Sequence, residues 1–396
     1  MLYFFGLIIL TLTTTSHKQI NNANVSEQES GQKERFPMKN LSSKTIQSHS
    51  FIEGSIICPA KELQLKPTLI GGQCFRWKQL LDESGSGECV KWRGVFKHHI
   101  WTLSQSSDQL LYKVLLNCPP KISKGQETSL NPNSNSQVKD AEYFENLLKD
   151  YFRLNENLES LYSYWSAQDP NFEESATKFY GIRMLKQDPV ENIFSFICST
   201  NNNIPRITSM VEKLCIFYGD KLGKLDGVEY YDFPNVSALA EKGVENKLRK
   251  ESFGYRAKYL HQSATKIVDN GGELWLEKLQ SLPYLEAKQQ LMTLPGIGAK
   301  VADCISLMSL NHLEAIPVDT HVFQISQRYL PHLKDCKNVN DKVYNEIVNY
   351  FQNLYGKYAG WAHSVLFCAD LRQFQSSTDK ARNRKSQKGV KKRKLK

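Results

Sequence analysis

The chain has 396 residues, 40% of them hydrophobic, which is enough for two domains with a substantial core and excludes a wholly disordered protein. The formal charge is +10, yet residues 380–396 carry ten of the 51 Lys and Arg and no Asp or Glu; the other 41 basic residues balance the 41 acidic ones. The body is therefore neutral, and any nucleic-acid binding falls to a local surface rather than to a globally basic fold.

In chain order, MLYFFGLIILTLTTTS resembles the hydrophobic region of a signal peptide, but no Lys or Arg precedes it and it is short for a membrane span. Because the basic tail has no use outside the cell, an organelle-targeting or mispredicted leader is favoured over secretion. Residues 17–48 are polar and poor in aromatics, so 1–48 are expected to be leader and disordered chain. Residues 49–140 form the first domain. Its segments GGQCFRWKQL, CVKWRGVFKHHIWTLSQ and QLLYKVLLN alternate with period two (Val90, Trp92, Phe96; Leu110, Tyr112, Val114, Leu116), which predicts an antiparallel sheet. Residues 119–139 read as a polar insertion. From 141 to 375 helical periodicity dominates, through DPVENIFSFICST, IPRITSMVEKLCIFYG, YNEIVNYFQNLYG and AGWAHSVLFCADLRQF. The expected class is α+β, a small antiparallel sheet followed by a helical bundle. Residues 376–396 are expected to be a disordered tail, serving as a nuclear import signal or an extra nucleic-acid-binding arm. That points to the nucleus, with the mitochondrion left open. The nine cysteines are scattered without a C-x-x-C pair, which excludes a zinc ribbon and suits a reducing compartment.

The chemistry concentrates in LMTLPGIGAKVADCISLMSL, residues 291–310. Leu294-Pro295-Gly296-Ile297-Gly298 reads as a tight hairpin between two helices. Its glycines, Gly296 and Gly298, allow close backbone approach, and the amides opening the next helix suit a duplex phosphate. Lys300, Cys304 and Met308 share one helix face. Nineteen residues after Lys300, Asp319 follows Pro317-Val318 and precedes an apolar helix, where it can act as an N-cap. Hairpin, lysine and aspartate in this order resemble the helix-hairpin-helix DNA glycosylase superfamily. In its bifunctional members the lysine is the nucleophile: a neutral amine attacks sugar C1′ as the base leaves, and the resulting Schiff base permits β-elimination. Burial is expected to lower the Lys300 pKa, and Asp319 to stabilise positive charge developing on the sugar.

FSFICSTNNNIPRITSMVEKLC, FGYRAKYL, LPGIGAKVADCISLM, PVDTHV and YAGWAHSVLFCADLRQ narrow the resemblance to the eukaryotic-type 8-oxoguanine DNA glycosylase/AP lyases, over residues 50–375. Only Cys336 and Cys368 follow Asp319, so the four-cysteine iron–sulfur cluster of related enzymes is excluded. The resemblance implies excision of 8-oxoguanine opposite cytosine from duplex DNA, with no cofactor and no metal, by a monomer that needs no membrane and hands its product to downstream abasic-site repair enzymes. It implies that Asn201 fills the gap left by the extruded nucleotide, that Arg206 and Arg256 bond the orphaned cytosine, and that Tyr255 is the wedge beside it. In the base pocket it implies that the Gly72 carbonyl meets the N7–H that distinguishes the lesion from guanine, with Cys304 and Phe367 sandwiching the base and Met308 a turn from Cys304. His321 is implied to contact a phosphate, with Asp370 nearby. One position departs from the family: His363 stands where a Gln faces the Watson–Crick edge. Neutral imidazole offers one lone pair there and imidazolium none, so DNA binding is expected to weaken between roughly pH 7 and pH 5.5 relative to a His363→Gln variant. Two other readings stay open, a related glycosylase for alkylated or other oxidised purines and a lesion-binding protein without catalysis; intact Lys300 and Asp319 disfavour the second.

Overall fold

The computed structural model describes residues 50–80, 90–116 and 134–371. The leader, the polar stretch 17–48, most of the insertion and the basic tail lie outside the described residues. Five strands, β1 (Phe51–Ile57), β2 (Lys78–Gln79), β3 (Trp92–Phe96), β4 (His99–Gln105) and β5 (Gln109–Leu115), form an antiparallel sheet in the order β1-β5-β4-β3-β2. The expected alternation holds in β5, where Leu110, Tyr112 and Val114 are buried. They share a core with Trp92, Trp101 and Leu103 and with Phe144, Leu148 and Tyr151 of the helix Ser134–Tyr151. That helix begins inside the stretch read as an insertion, so the tail of the insertion is helical. Of GGQCFRWKQL only Lys78–Gln79 is strand.

The helical half also contains a hairpin that helical periodicity did not suggest, β6 (Lys221–Leu225) and β7 (Val228–Tyr231). Asp226 and Gly227 turn it with φ of 48° and 78°, the positive pair that a two-residue hairpin turn requires and that Asp-Gly supplies. Leu222 and Leu225 pack on the sheet face opposite the helix, against Val95, Ile100 and Leu115, and Arg93 holds Asp226 at 2.5 Å. The sheet is thereby covered on both faces.

The bundle core runs through the helices Pro189–Ser199, Ile204–Tyr218, Arg256–Asp269, Ala299–Met308, Asp341–Tyr355 and Ala359–Asp370. Asp188, Asn203 and Asn340 each cap a helix with a side-chain oxygen. No described helix is long and apolar enough to cross a membrane.

The two halves are stitched by Gln73. Its Nε2 donates to the Arg183 carbonyl at 2.9 Å and its Oε1 accepts from the Leu185 amide at 3.0 Å. Its own carbonyl accepts from Gln187 Nε2 at 2.9 Å, and the Gln187 amide donates to the Met308 carbonyl at 2.8 Å. Two residues on, Phe75 leaves the sheet half and enters the bundle core. Gln73→Leu removes both side-chain bonds and strands a buried carbonyl and amide, so it should cost about 2–4 kcal/mol. Urea unfolding of the native protein and of this variant measures the difference; a loss within about 0.5 kcal/mol, the scale of a neutral surface change, would show that the clamp contributes little.

Candidate active site

The hairpin lies between the helices Tyr284–Met292 and Ala299–Met308. Gly296 has φ of +85°, and a Cβ there would stand 2.8 Å from the Tyr259 side chain, so both conformation and space require glycine. Gly298 differs: it is extended (φ −96°, ψ −178°) with room for a Cβ, and the fold of the free protein would accept another residue. Ser263 Oγ donates to the Pro295 carbonyl at 2.7 Å and Lys266 Nζ to the Thr293 carbonyl at 2.8 Å, fixing the loop on the helix Arg256–Asp269.

Lys300 opens the next helix on the face that Cys304 and Met308 continue inward, both buried. Its Nζ lies 5.4 Å from the centre of the Phe196 ring, and Phe196 in turn meets Phe75 edge-on at 6.0 Å. Burial pulls the Lys300 pKa down, but Cys304, which hydrogen-bonds it, and Asp319 push it up, and the net direction is upward. This corrects the expectation of a depressed amine: nearby acceptors outweigh desolvation, and Lys300 rests as ammonium. The Cys304 thiol is itself pushed up to about 11, chiefly by burial, so at neutral pH the anion beside Lys300 is Asp319.

Asp319 is the N-cap of the helix Thr320–Ser326; its Oδ1 accepts from the His321 and Val322 amides at 2.8 and 2.9 Å. Capping and proximity to Lys300 coexist. His321 is exposed, with Nδ1 3.9 Å from Asp370 Oδ2 and its ring edge-on to Phe367 at 6.0 Å. Asp370 also takes Arg328 Nη2 at 3.2 Å.

Gly72 has φ of +93° with no atom within 4 Å of a built Cβ, so conformation rather than space selects glycine there. Its neighbour Gly71 is selected by space: a Cβ would lie 2.4 Å from the Pro67 carbonyl and 3.1 Å from Cys368 Sγ. The Gly71-Gly72 turn thus abuts the residue that follows Phe367.

A second cluster surrounds Asn201, which is exposed with φ of +47° at the turn after the helix Pro189–Ser199. Arg256 is only 3% exposed, and its Nη2 bonds the carbonyls of Thr200 and Asn201, the latter at 3.0 Å. Tyr255 OH also donates to the Thr200 carbonyl, at 3.1 Å, while the residue as a whole is 46% exposed. Arg206 is exposed and reaches the Ser252 carbonyl at 3.2 Å. Of the two arginines expected at the orphaned base, Arg206 faces solvent and Arg256 is buried against the Asn201 turn.

His363 is 2% exposed, edge-on to Phe351 at 4.7 Å, with Nε2 unpartnered. Burial pushes its pKa down to about 4, against a smaller upward pull from Asp319. The imidazole therefore stays neutral through the range in which loss of its lone pair was expected, and the anticipated weakening of DNA binding between pH 7 and 5.5 does not follow from its titration. Among described residues the sequence reading also overlooked Asp303. It is fully buried on the Lys300 helix and bonded to Tyr284, Lys288 and Tyr344. A carboxylate inside an otherwise apolar helical run was the available signal.

Residues 55–193 match the family described as 8-oxoguanine DNA glycosylase, N-terminal domain, and residues 194–352 the HhH-GPD superfamily of base excision DNA repair proteins. An N-glycosylase/DNA lyase of Arabidopsis thaliana is 38% identical over 315 residues, 78% of each chain. The chain belongs to the 8-oxoguanine DNA glycosylase family. A Saccharomyces cerevisiae N-glycosylase/DNA lyase is 31% identical over 356 residues, 83% of this chain and 89% of that relative. The Clostridium acetobutylicum 8-oxoguanine glycosylase/lyase, solved with double-stranded DNA containing cytosine opposite 8-oxoguanine, superposes with a TM-score of 0.61 at 30% identity, covering 78% of this chain and 91% of that one. The boundary between the two family matches falls within the helix Pro189–Ser199, well beyond the end of the sheet, so the family's N-terminal unit includes the clamp residues Arg183 and Gln187.

An imidazole depressed by folding adds its full stability above its ordinary value of 6.5 and loses it as pH falls toward about 4. Between about pH 7 and about pH 5 the native protein should therefore lose about 2 kcal/mol more unfolding free energy than His363→Gln. Urea titrations at the two pH values decide it; equal losses would mean that the ring reaches water in the folded chain.

Proposed function

We propose that this protein is a bifunctional base excision repair enzyme that removes 8-oxoguanine paired with cytosine from duplex DNA and then cleaves the strand. The observation that carries this reading is Lys300: an amine at the mouth of a helix-hairpin-helix, over Phe196, hydrogen-bonded to Cys304 and drawn by Asp319.

The target nucleotide leaves the stack, because neither C1′ nor the base edge is reachable within it. Asn201, projecting from a turn fixed by Arg256 and Tyr255, takes its place, while Arg206 and the Tyr255 ring meet the opposite strand. The base enters beside the Gly72 carbonyl, which accepts from N7–H of 8-oxoguanine but opposes the N7 lone pair of guanine, a mismatch of about 1–3 kcal/mol. Phe367, Cys304 and Met308 supply the apolar walls. His363, neutral and buried, is the polar side chain offered to the base. His321, with Asp370 beside its ring, meets a phosphate at the rim.

Lys300 must first give up its proton. Its lone pair then forms the bond to C1′ as the N-glycosidic bond breaks and the departing base takes up the proton Lys300 released. The C1′–O4′ bond of this aminal then breaks, O4′ taking a proton from the amine, which leaves the Schiff base. Asp319 offsets the positive charge developing on the sugar. Loss of a C2′ proton from the Schiff base expels the 3′ phosphate. Borohydride with an 8-oxoguanine·cytosine duplex should trap a covalent adduct. Lys300→Gln should abolish both adduct and excision, and Asp319→Asn should slow single-turnover excision by about 10²-fold. An adduct that persists in Lys300→Gln would refute the assignment.

The tail 380–396 supports nuclear import rather than catalysis, since removing it leaves a neutral body with every site residue in place. Truncation at residue 379 should leave nuclei depleted and excision at physiological salt within about threefold, a small change against the salt dependence of phosphate contacts. Retention of the truncated protein in nuclei would overturn this assignment.

A further inference from the structure

Asp319 and Lys300 are nineteen residues apart, and the backbone between them leaves the helix at Met308 before returning. A second, shorter connection runs through side chains. Asp303, three residues beyond Lys300, is 0% exposed and accepts three bonds: from Tyr284 OH at 2.7 Å on Oδ1, and from Lys288 Nζ at 2.8 Å and Tyr344 OH at 2.5 Å on Oδ2. The Tyr344 hydroxyl lies much closer to Asp303 Oδ2 than to the Ile316 carbonyl at 3.4 Å, and with its proton on Asp303 its oxygen accepts the Val318 amide at 3.2 Å. Val318 immediately precedes Asp319. Pro317 has no N–H, so Val318 is the only one of the two residues before Asp319 with a backbone donor, and it bonds Tyr344.

We propose that Tyr344 and Asp303 form a positioning pair that fixes Asp319 against Lys300; the proposal rests on the catalytic reading above. The bonds run in one direction, Val318 N–H to Tyr344 O–H to the Asp303 carboxylate, with Lys288 as counter-charge. A hydroxyl donating to a carboxylate becomes a better acceptor, so the charge at Asp303 strengthens the hold on Val318. The downstream side of Asp319 is fixed by its own cap bonds to His321 and Val322. Without the Tyr344 oxygen the segment 316–318 would be held by packing alone. Rotation there would swing the carboxylate relative to Lys300 while leaving the DNA-facing residues Asn201, Tyr255 and Arg206, on other elements, where they are.

The test separates rate from affinity. In Tyr344→Phe, the single-turnover rate constant for excision from an 8-oxoguanine·cytosine duplex, normalised to active enzyme by burst titration, should fall about 10- to 100-fold, the scale of a misplaced catalytic group. Borohydride trapping on a preformed abasic site should slow in parallel. Affinity for a duplex bearing a non-cleavable abasic analogue should change less than about threefold, below the size of one lost phosphate contact. Simple loss of packing would lower the active fraction and the affinity but leave the normalised rate constant alone, and that result overturns the proposal. If Tyr344→Phe does not fold, Lys288→Gln at the cluster's edge carries the test on the same readouts. A several-fold loss of rate at unchanged affinity supports the pair, and an unchanged rate refutes it. A native protein that fails to trap at all would instead refute the catalytic reading.

Discussion

The architecture depends on the burial of one amide side chain. Gln73 bonds with both ends of its amide to the strip Arg183–Leu185, and its carbonyl holds Gln187, which reaches the end of the Lys300 helix. Buried amide groups tolerate few alternative arrangements, because each unmade bond costs about 1–3 kcal/mol. The segment that carries the clamp is therefore fixed in register as well as in place. Gly71 is set against Cys368, and Phe75 against Phe196 beneath Lys300. The residue proposed to read the base and the residue proposed to cut it are located by the same short stretch of chain.

Electrostatics in the site follow from how unevenly burial is compensated. Lys300 and His363 both lose solvation, and both sense Asp319. Lys300 gains enough from Cys304 and Asp319 to remain charged, whereas His363 gains less than it loses and remains neutral. A buried neutral imidazole beside a carboxylate and an ammonium keeps the pocket at one net charge balance across the physiological range. In the proposed mechanism one proton must leave Lys300 after the nucleotide has entered, since the resting site holds it.

Much of this was legible in the sequence. Period-two alternation located β5, and helical periodicity located the bundle; β3 is buried along nearly its whole length because both faces of the sheet are covered, so its alternation does not hold. The hairpin and the Asp319 cap were readable from local residues for the same reason. What escaped was set by distant contacts. Gly71–Arg76 looked strand-like but is held by Gln73 outside the sheet. The β6–β7 hairpin was hidden in helical surroundings although Asp226-Gly227 announces its turn. Arg256 and Arg206 look alike in sequence, yet only the nearby Thr200 and Asn201 carbonyls decide that one is buried. The Lys300 pKa depends on a balance that spacing cannot weigh, and Asp303 was missed because its helix reads as apolar.

The halves are also interlocked. Phe75 belongs to the sheet half by sequence and to the bundle core by packing, while the β6–β7 hairpin belongs to the helical half and covers the sheet. During synthesis the strands emerge first, but the face formed by Val95, Ile100 and Leu115 stays uncovered until Lys221–Tyr231 has been made. Neither half closes its own core, so the nascent sheet is an exposed apolar surface awaiting its cover. Removing either half would uncover the other, and the protein's tolerance of truncation is set by this exchange of parts rather than by the boundary between its two family matches.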